Sequence, residues 1–95
     1  MSSVVENAVK ALNEKMTSGF AGSAKVVISG EGALMLDSTG ARVGDEEADV
    51  TLTASAETFL GILDGSVNPT AAFMTGKLSV DGDMGQAMQL GTALS

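Results

Sequence analysis

The chain has 95 residues, twelve Asp/Glu against five Lys/Arg for a net charge of −7, and no Cys, His, Trp or Tyr. The length suits one domain over residues 1–95. Missing Cys and His removes zinc fingers, iron–sulfur sites, disulfide frameworks, Ser-His-Asp triads and thiol nucleophiles. An acidic balance also lacks the Lys/Arg that bind nucleic-acid phosphates or anionic lipid headgroups.

Ser3-Val4-Val5-Glu6 has the form of a capping box, and Val5, Ala8, Val9, Leu12 and Met16 then recur at helical spacing as far as Ser18-Gly19. From Phe20 the period becomes two. Phe20, Gly22, Ala24, Val26 and Ile28 fall on one face of an expected long strand, with Ser23, Lys25, Val27 and Ser29 on the other. Gly30-Glu31-Gly32 supplies a turn, Ala33 to Asp37 a second strand, Ser38-Thr39-Gly40 another turn, and Arg42-Val43 a short third strand. An antiparallel meander is expected. After Gly44-Asp45-Glu46-Glu47, residues 48–54 alternate again, with Val50 and Leu52 inward.

Ser55 is an expected N-cap, Ala56, Phe59, Leu60 and Leu63 form an expected apolar stripe, and Gly65 ends that helix. Asn68-Pro69 places a cap and a first-turn proline before a short helix over 70–75, closed by Gly76. Residues 77–81 read as the last strand. Asp83 with Gln86 opens a C-terminal helix whose Met84, Ala87, Met88 and Leu94 fall on or near one face. The predicted class is α+β: a largely antiparallel five-stranded sheet covered on one face by helices, with a helical crossover before the last strand.

Motifs with chemical potential have simpler readings here. Gly30-Glu31-Gly32 sits between strands, with no helix N-terminus behind it to receive a phosphate. Asp81-Gly82-Asp83 lacks the ligand pattern of a calcium loop, and Asp45-Glu46-Glu47 reads as a solvated acidic loop. No carboxylate pair stands out by spacing. Neither catalysis nor a cofactor nor a metal is expected. Apolar runs such as 33–36 and 71–74 are too short to span a bilayer, and the first residues lack a signal peptide's basic and apolar regions. A cytoplasmic location is expected. Met74, Met84 and Met88 carry flexible thioethers that suit either a core gap or a ligand of variable shape.

The stretch from residue 48 onward resembles the sterol carrier protein 2 family. The matching residues are Ala-Asp-Val-Thr-Leu-Thr at 48–53, Phe59-Leu60, Leu63-Asp64-Gly65, Asn68 to Leu78, Val80 to Met84 and Ala87-Met88-Gln89-Leu90. The first half matches more loosely, through the leading helix and the Gly-rich hairpin. The resemblance implies a non-enzymatic lipid carrier with an internal apolar tunnel for a fatty acid, acyl-CoA or sterol-like ligand. Carried over by position, the tunnel lining is Phe59, Leu60, Leu63, Phe73, Met74, Met84 and Met88, with the inward strand residues Leu34, Leu36, Val50, Leu52, Leu78 and Val80 beneath.

Three departures stand out. Leu34 occupies the position where many members carry a tryptophan, which reshapes the inner wall. The acidic chain ending Thr92-Ala93-Leu94-Ser95 matches neither the basic charge nor the peroxisomal tripeptide of well-known eukaryotic members. The chain is also short for the family, so a more open mouth is expected. Lys77 and Arg42 are the basic residues expected nearest that mouth.

An apolar void of about 300 Å³ costs on the order of 7 kcal/mol if rigid, which predicts a cavity that is filled with lipid, collapsed, opened, or covered in a homodimer. Two other readings stay open. One is an accessory module that presents an isoprenoid or other lipid substrate to a partner enzyme, and the other is a packed-shut interaction domain.

Overall fold

A computed structural model describes residues 3–17 and 19–94. The elements are α1 (Ser3–Lys15), β1 (Ala24–Ile28), β2 (Gly32–Asp37), β3 (Gly40–Val43), β4 (Val50–Ala54), α2 (Ala56–Asp64), α3 (Pro69–Met74), β5 (Leu78–Gly82) and α4 (Met84–Leu94). One five-stranded sheet runs in the order β3-β2-β1-β4-β5. Its neighbours are antiparallel except β1 and β4, which pair in parallel with Ala24 opposite Val50.

The expected meander is therefore β1-β2-β3 alone. The chain then returns across the back of the sheet, over 44–49, to place β4 on the other side of β1. Three contacts hold the first half of this strap against β1 and β2. Gly44 N–H donates to the Ala33 carbonyl at 3.3 Å, Lys25 Nζ lies 3.0 Å from Asp45 Oδ1, and Glu46 N–H donates to Met35 Sδ at 3.4 Å. Met35 points away from the main core yet is 3 % exposed, because the strap covers it. The acidic run read as a solvated loop thus also pins the back of the sheet.

β1 starts at Ala24, four residues later than the alternation from Phe20 predicts. Phe20 still reaches the core, and its N–H donates to the Asp37 carbonyl at 2.9 Å. At Gly22 the side chain of Gln86 stands where a Cβ would be, so the N-terminal end of α4 occupies the space beside this segment and the chain bends around it.

Cap chemistry sets the helix ends. Ser55 Oγ accepts from Thr58 N–H at 3.2 Å, Asn68 Oδ1 from Ala71 N–H at 3.1 Å, and Asp83 Oδ1 from Gln86 N–H at 3.1 Å. Gly65, at φ 86°, ends α2 in the left-handed region that a side chain disfavours. Ser3 is itself helical, so it is not the cap that the Ser3–Glu6 pattern predicts. Met1, Ser2 and the expected stop at Ser18 lie outside the described residues.

All four helices lie on the front face. Val5, Ala8 and Leu12 of α1, and Met16 just after it, are buried with Leu34 and Leu36 of β2. Val5 lies over Gly32, where an added Cβ would come within 3.3 Å of its Cγ2. Asn13 of α1 closes the β3 edge: its Nδ2 donates to the Ala41 carbonyl at 3.0 Å, and its Oδ1 accepts from Ala41 N–H at 2.8 Å. A side-chain amide thereby occupies both outward backbone groups of Ala41, one of the positions that an edge strand otherwise offers to another chain.

Candidate lipid site

The front of β4 and β5 is hollow where the front of β2 and β3 is filled. A cavity of about 410 Å³ lies there, floored by Leu52, Leu78 and Val80 and backed by Phe59 and Ile62 of α2. Phe73 and Met74 of α3 form one lip and Met84, Ala87 and Met88 of α4 the other, with Pro69 and Leu94 lining the cavity more deeply. The volume falls in the range of about 300–1,000 Å³ typical of small-molecule sites. Its lining is mainly apolar, and its few polar side chains are Asn68, Thr70 and Thr92, with no charged residue among the described lining. The mouth opens between α3 and α4, where Met74 is 79 % and Met88 72 % exposed.

α4 is held to the sheet by a polar clasp at its first turn. Gln86 Oε1 accepts from Ser23 N–H at 3.1 Å and its Nε2 donates to Asp49 Oδ2 at 2.9 Å. Ser23 Oγ accepts from Asp49 N–H at 2.9 Å. Beyond this clasp, α4 is seated by the apolar side chains of Leu90 and Leu94.

The structure brings together Leu52, Phe59, Phe73, Met74, Leu78, Val80, Met84 and Met88 from the lining that the resemblance implies. It places the others elsewhere. Leu34, Leu36 and Val50 are at most 1 % exposed within the packed core: α1 descends onto β2, and α4 packs on β4. In α2 the buried stripe is Phe59 and Ile62, whereas Leu60 is 40 % exposed and Leu63 is half-buried against the core. Residues 62 and 63 both continue a stripe from Phe59, at spacings of three and four, so periodicity alone does not select between them.

Ile62, Ala87 and Leu94 line the cavity as well, although the resemblance did not single them out. Ala87 and Leu94 carried a signal, since both lie on the apolar face predicted for the last helix. The polar lining at Asn68, Thr70 and Thr92 gave none.

The basic residues expected near the mouth do not line it. Lys77 is exposed beside it. Arg42 is on the opposite edge strand, 2.7 Å from Asp37 Oδ2 and 3.8 Å from Glu46 Oε2. Asp37 accepts from the Thr39 hydroxyl at 2.6 Å, from Arg42, and from Thr39 N–H at 2.9 Å. These bonds, the Thr39 hydroxyl foremost, lower its carboxyl pKa to about 2. Among the described residues no cluster of three or more His, Cys, Asp or Glu is placed to hold a metal ion, and no helix is long and apolar enough to cross a membrane.

Comparison with known proteins identifies the arrangement. Human sterol carrier protein 2 is 39% identical over 64 residues, which cover 67% of this chain and 11% of the human protein. A hydroxysteroid dehydrogenase-like protein 2 of Xenopus laevis is 34% identical over 89 residues, covering 85% of this chain and 21% of that protein. The chain thus spans about a tenth to a fifth of the length of these relatives. Among solved structures, the solution structure of sterol carrier protein 2 from Aedes aegypti in complex with palmitate superposes with a TM-score of 0.79 at 19% identity, covering 100% of this chain and 97% of that one. The profile of the SCP-2 sterol transfer family matches residues 4–95, and the chain belongs to that family.

Proposed function

We infer that this chain is a lipid carrier that holds the hydrocarbon part of one ligand in the cavity between α2, α3, α4 and the β4-β5 floor, and performs no reaction on it. The observation that carries this reading is the mainly apolar cavity of about 410 Å³, without charged lining, on a domain of the SCP-2 family. The palmitate in the Aedes aegypti relative supports a fatty acyl chain as one occupant.

Binding then draws on burial of methylenes at about 0.8 kcal/mol each, which is about a fourfold fall in Kd per carbon until the cavity is full. With no cation in the lining and a net charge of −7, charge does not hold the headgroup. A fatty alcohol is therefore expected to bind at least as well as the matching carboxylate. The cavity favours this reading over a packed-shut interaction module.

Native mass spectrometry of the freshly purified protein, followed by denaturing extraction, tests for a resident lipid. Thermal shifts with a series from octanoate to palmitate, and with the matched alcohols, then test the mode of binding. At about a hundred times Kd, palmitate should add roughly 2.7 kcal/mol and raise Tm by about 10–20 °C. Tm and affinity that do not depend on chain length overturn the reading. Stable recovery of one enzyme, together with lipid uptake only in its presence, favours the presenting-module alternative.

A further inference from the structure

We propose that Met74, Met84 and Met88 form a hydroperoxide-sensitive modification site, at which sulfoxidation withdraws the cavity from apolar ligands. The modification itself rests only on side-chain exposure and chemistry, while its effect on uptake rests on the carrier reading above.

The chain has six methionines and no cysteine, so thioethers are its principal two-electron redox groups. Their settings divide sharply. Met16 and Met35 are 8 % and 3 % exposed, one in the main core and the other under the strap. Met74, Met84 and Met88 are 79 %, 47 % and 72 % exposed, and all line the cavity mouth. They come from the two facing lips, α3 and α4, so an apolar chain passing between those helices meets thioethers from both sides.

A solvent-borne oxidant reaches the same three sulfurs first, because susceptibility follows exposure. In the step, a methionine sulfur lone pair attacks one oxygen of hydrogen peroxide and the O–O bond breaks. An S=O bond forms, and the second oxygen leaves as water after proton transfer. The sulfur is oxidised by two electrons and the peroxide is reduced by two.

The product is a strongly polar group on an apolar lip. A ligand methylene packed there leaves the sulfoxide oxygen without a hydrogen-bond partner, and the flexible thioether can no longer adapt its surface to the ligand. The fold is spared, because the three modified side chains are exposed at the cavity mouth whereas the two methionines packed in the interior stay reduced.

Graded hydrogen peroxide treatment with tryptic mapping reads the site directly. Cleavage after Lys15, Lys25, Arg42 and Lys77 places Met16 in residues 16–25, Met35 in 26–42, Met74 in 43–77, and Met84 with Met88 in 78–95. The mouth methionines are expected to oxidise at least about tenfold faster than Met16 and Met35. Palmitate affinity is expected to fall about tenfold as they do, with recovery on treatment with methionine sulfoxide reductases. The M16L/M35L variant should keep the peroxide response. The M74L/M84L/M88L variant should lose it, whatever its starting affinity.

Equal oxidation of Met16 or Met35 in folded protein overturns the site. Complete sulfoxidation of the mouth with unchanged palmitate affinity overturns its consequence. Failure of the reduced protein to take up palmitate overturns the carrier reading and the consequence together, while the sulfoxide map still decides where the oxidant acts.

Discussion

The two halves of the front face are built from the same strand pattern and end in opposite states. β1 and β2 carry alternating apolar residues as β4 and β5 do, yet the half under α1 is packed solid and the half between α2, α3 and α4 encloses a cavity. The difference lies in the covering helices. α1 lowers a stripe of Val5, Ala8 and Leu12 into the sheet, each with no exposed surface. α4 seats Leu90 and Leu94 but leaves Met84 and Met88 along an opening. An inward strand residue is therefore core or lining according to what descends on it, and its own alternation does not say which.

Substitutions in the two halves should separate stability from binding. The largest effect is expected from Leu34→Ala on the packed side, where truncation of a fully buried leucine costs about 3 kcal/mol and lowers Tm by well over about 10 °C. Urea denaturation followed by far-ultraviolet circular dichroism measures it, since the chain has no Trp or Tyr to report by fluorescence. A loss below about 1 kcal/mol would mean that the packed half has slack to repack.

Phe73→Ala on the hollow side should reverse the pattern. Phe73 is 43 % exposed, so stability should change by less than about 1 kcal/mol while palmitate binding, followed by titration calorimetry, weakens about tenfold. Equal affinity in the folded variant removes Phe73 from the site and breaks the proposed division of labour.

The smallest effect concerns pH. Asp37, at the β2-β3 turn, has its pKa lowered from 3.8 to about 2 by the Thr39 hydroxyl and Arg42. A depressed carboxylate contributes stability above its unfolded pKa and loses it as pH falls through the folded one, here from about 4 to about 2. Asp37→Asn should flatten the stability profile in that window and leave it parallel to the parent's above pH of about 5. An unchanged slope would show that this exposed turn is uncoupled from folding.

Most of the fold was legible because its boundaries are written in local chemistry. Ser55, Gly65, Asn68-Pro69 and Asp83 mark helix ends that depend on one side chain or one backbone angle. What lay beyond reach depended on residues distant in sequence. The bend at Gly22 is imposed by Gln86, and the parallel β1-β4 pair by a strap whose anchors, Lys25, Ala33 and Met35, precede it in other strands. Of the expected lining, the residues on α3, α4 and β5 fall around the cavity, whereas Leu34, Leu36 and Val50 fall in the packed core, because burial and cavity lining make the same demand on a side chain: that it be apolar.

The strap also sets an order of assembly. β1 has β2 as its near neighbour in sequence, while its parallel partner β4 arrives only after the β2-β3 hairpin and the six residues 44–49 have been laid down. Closing that long loop costs entropy before the β1-β4 contacts can offset it. The β1-β2-β3 meander is therefore expected to form first, with the floor of the cavity condensing onto it afterwards. Native-state hydrogen exchange should run in the opposite sense, with β5 and α4 opening before the strands under α1. Loosening in this order would open the cavity while the packed half under α1 is still intact.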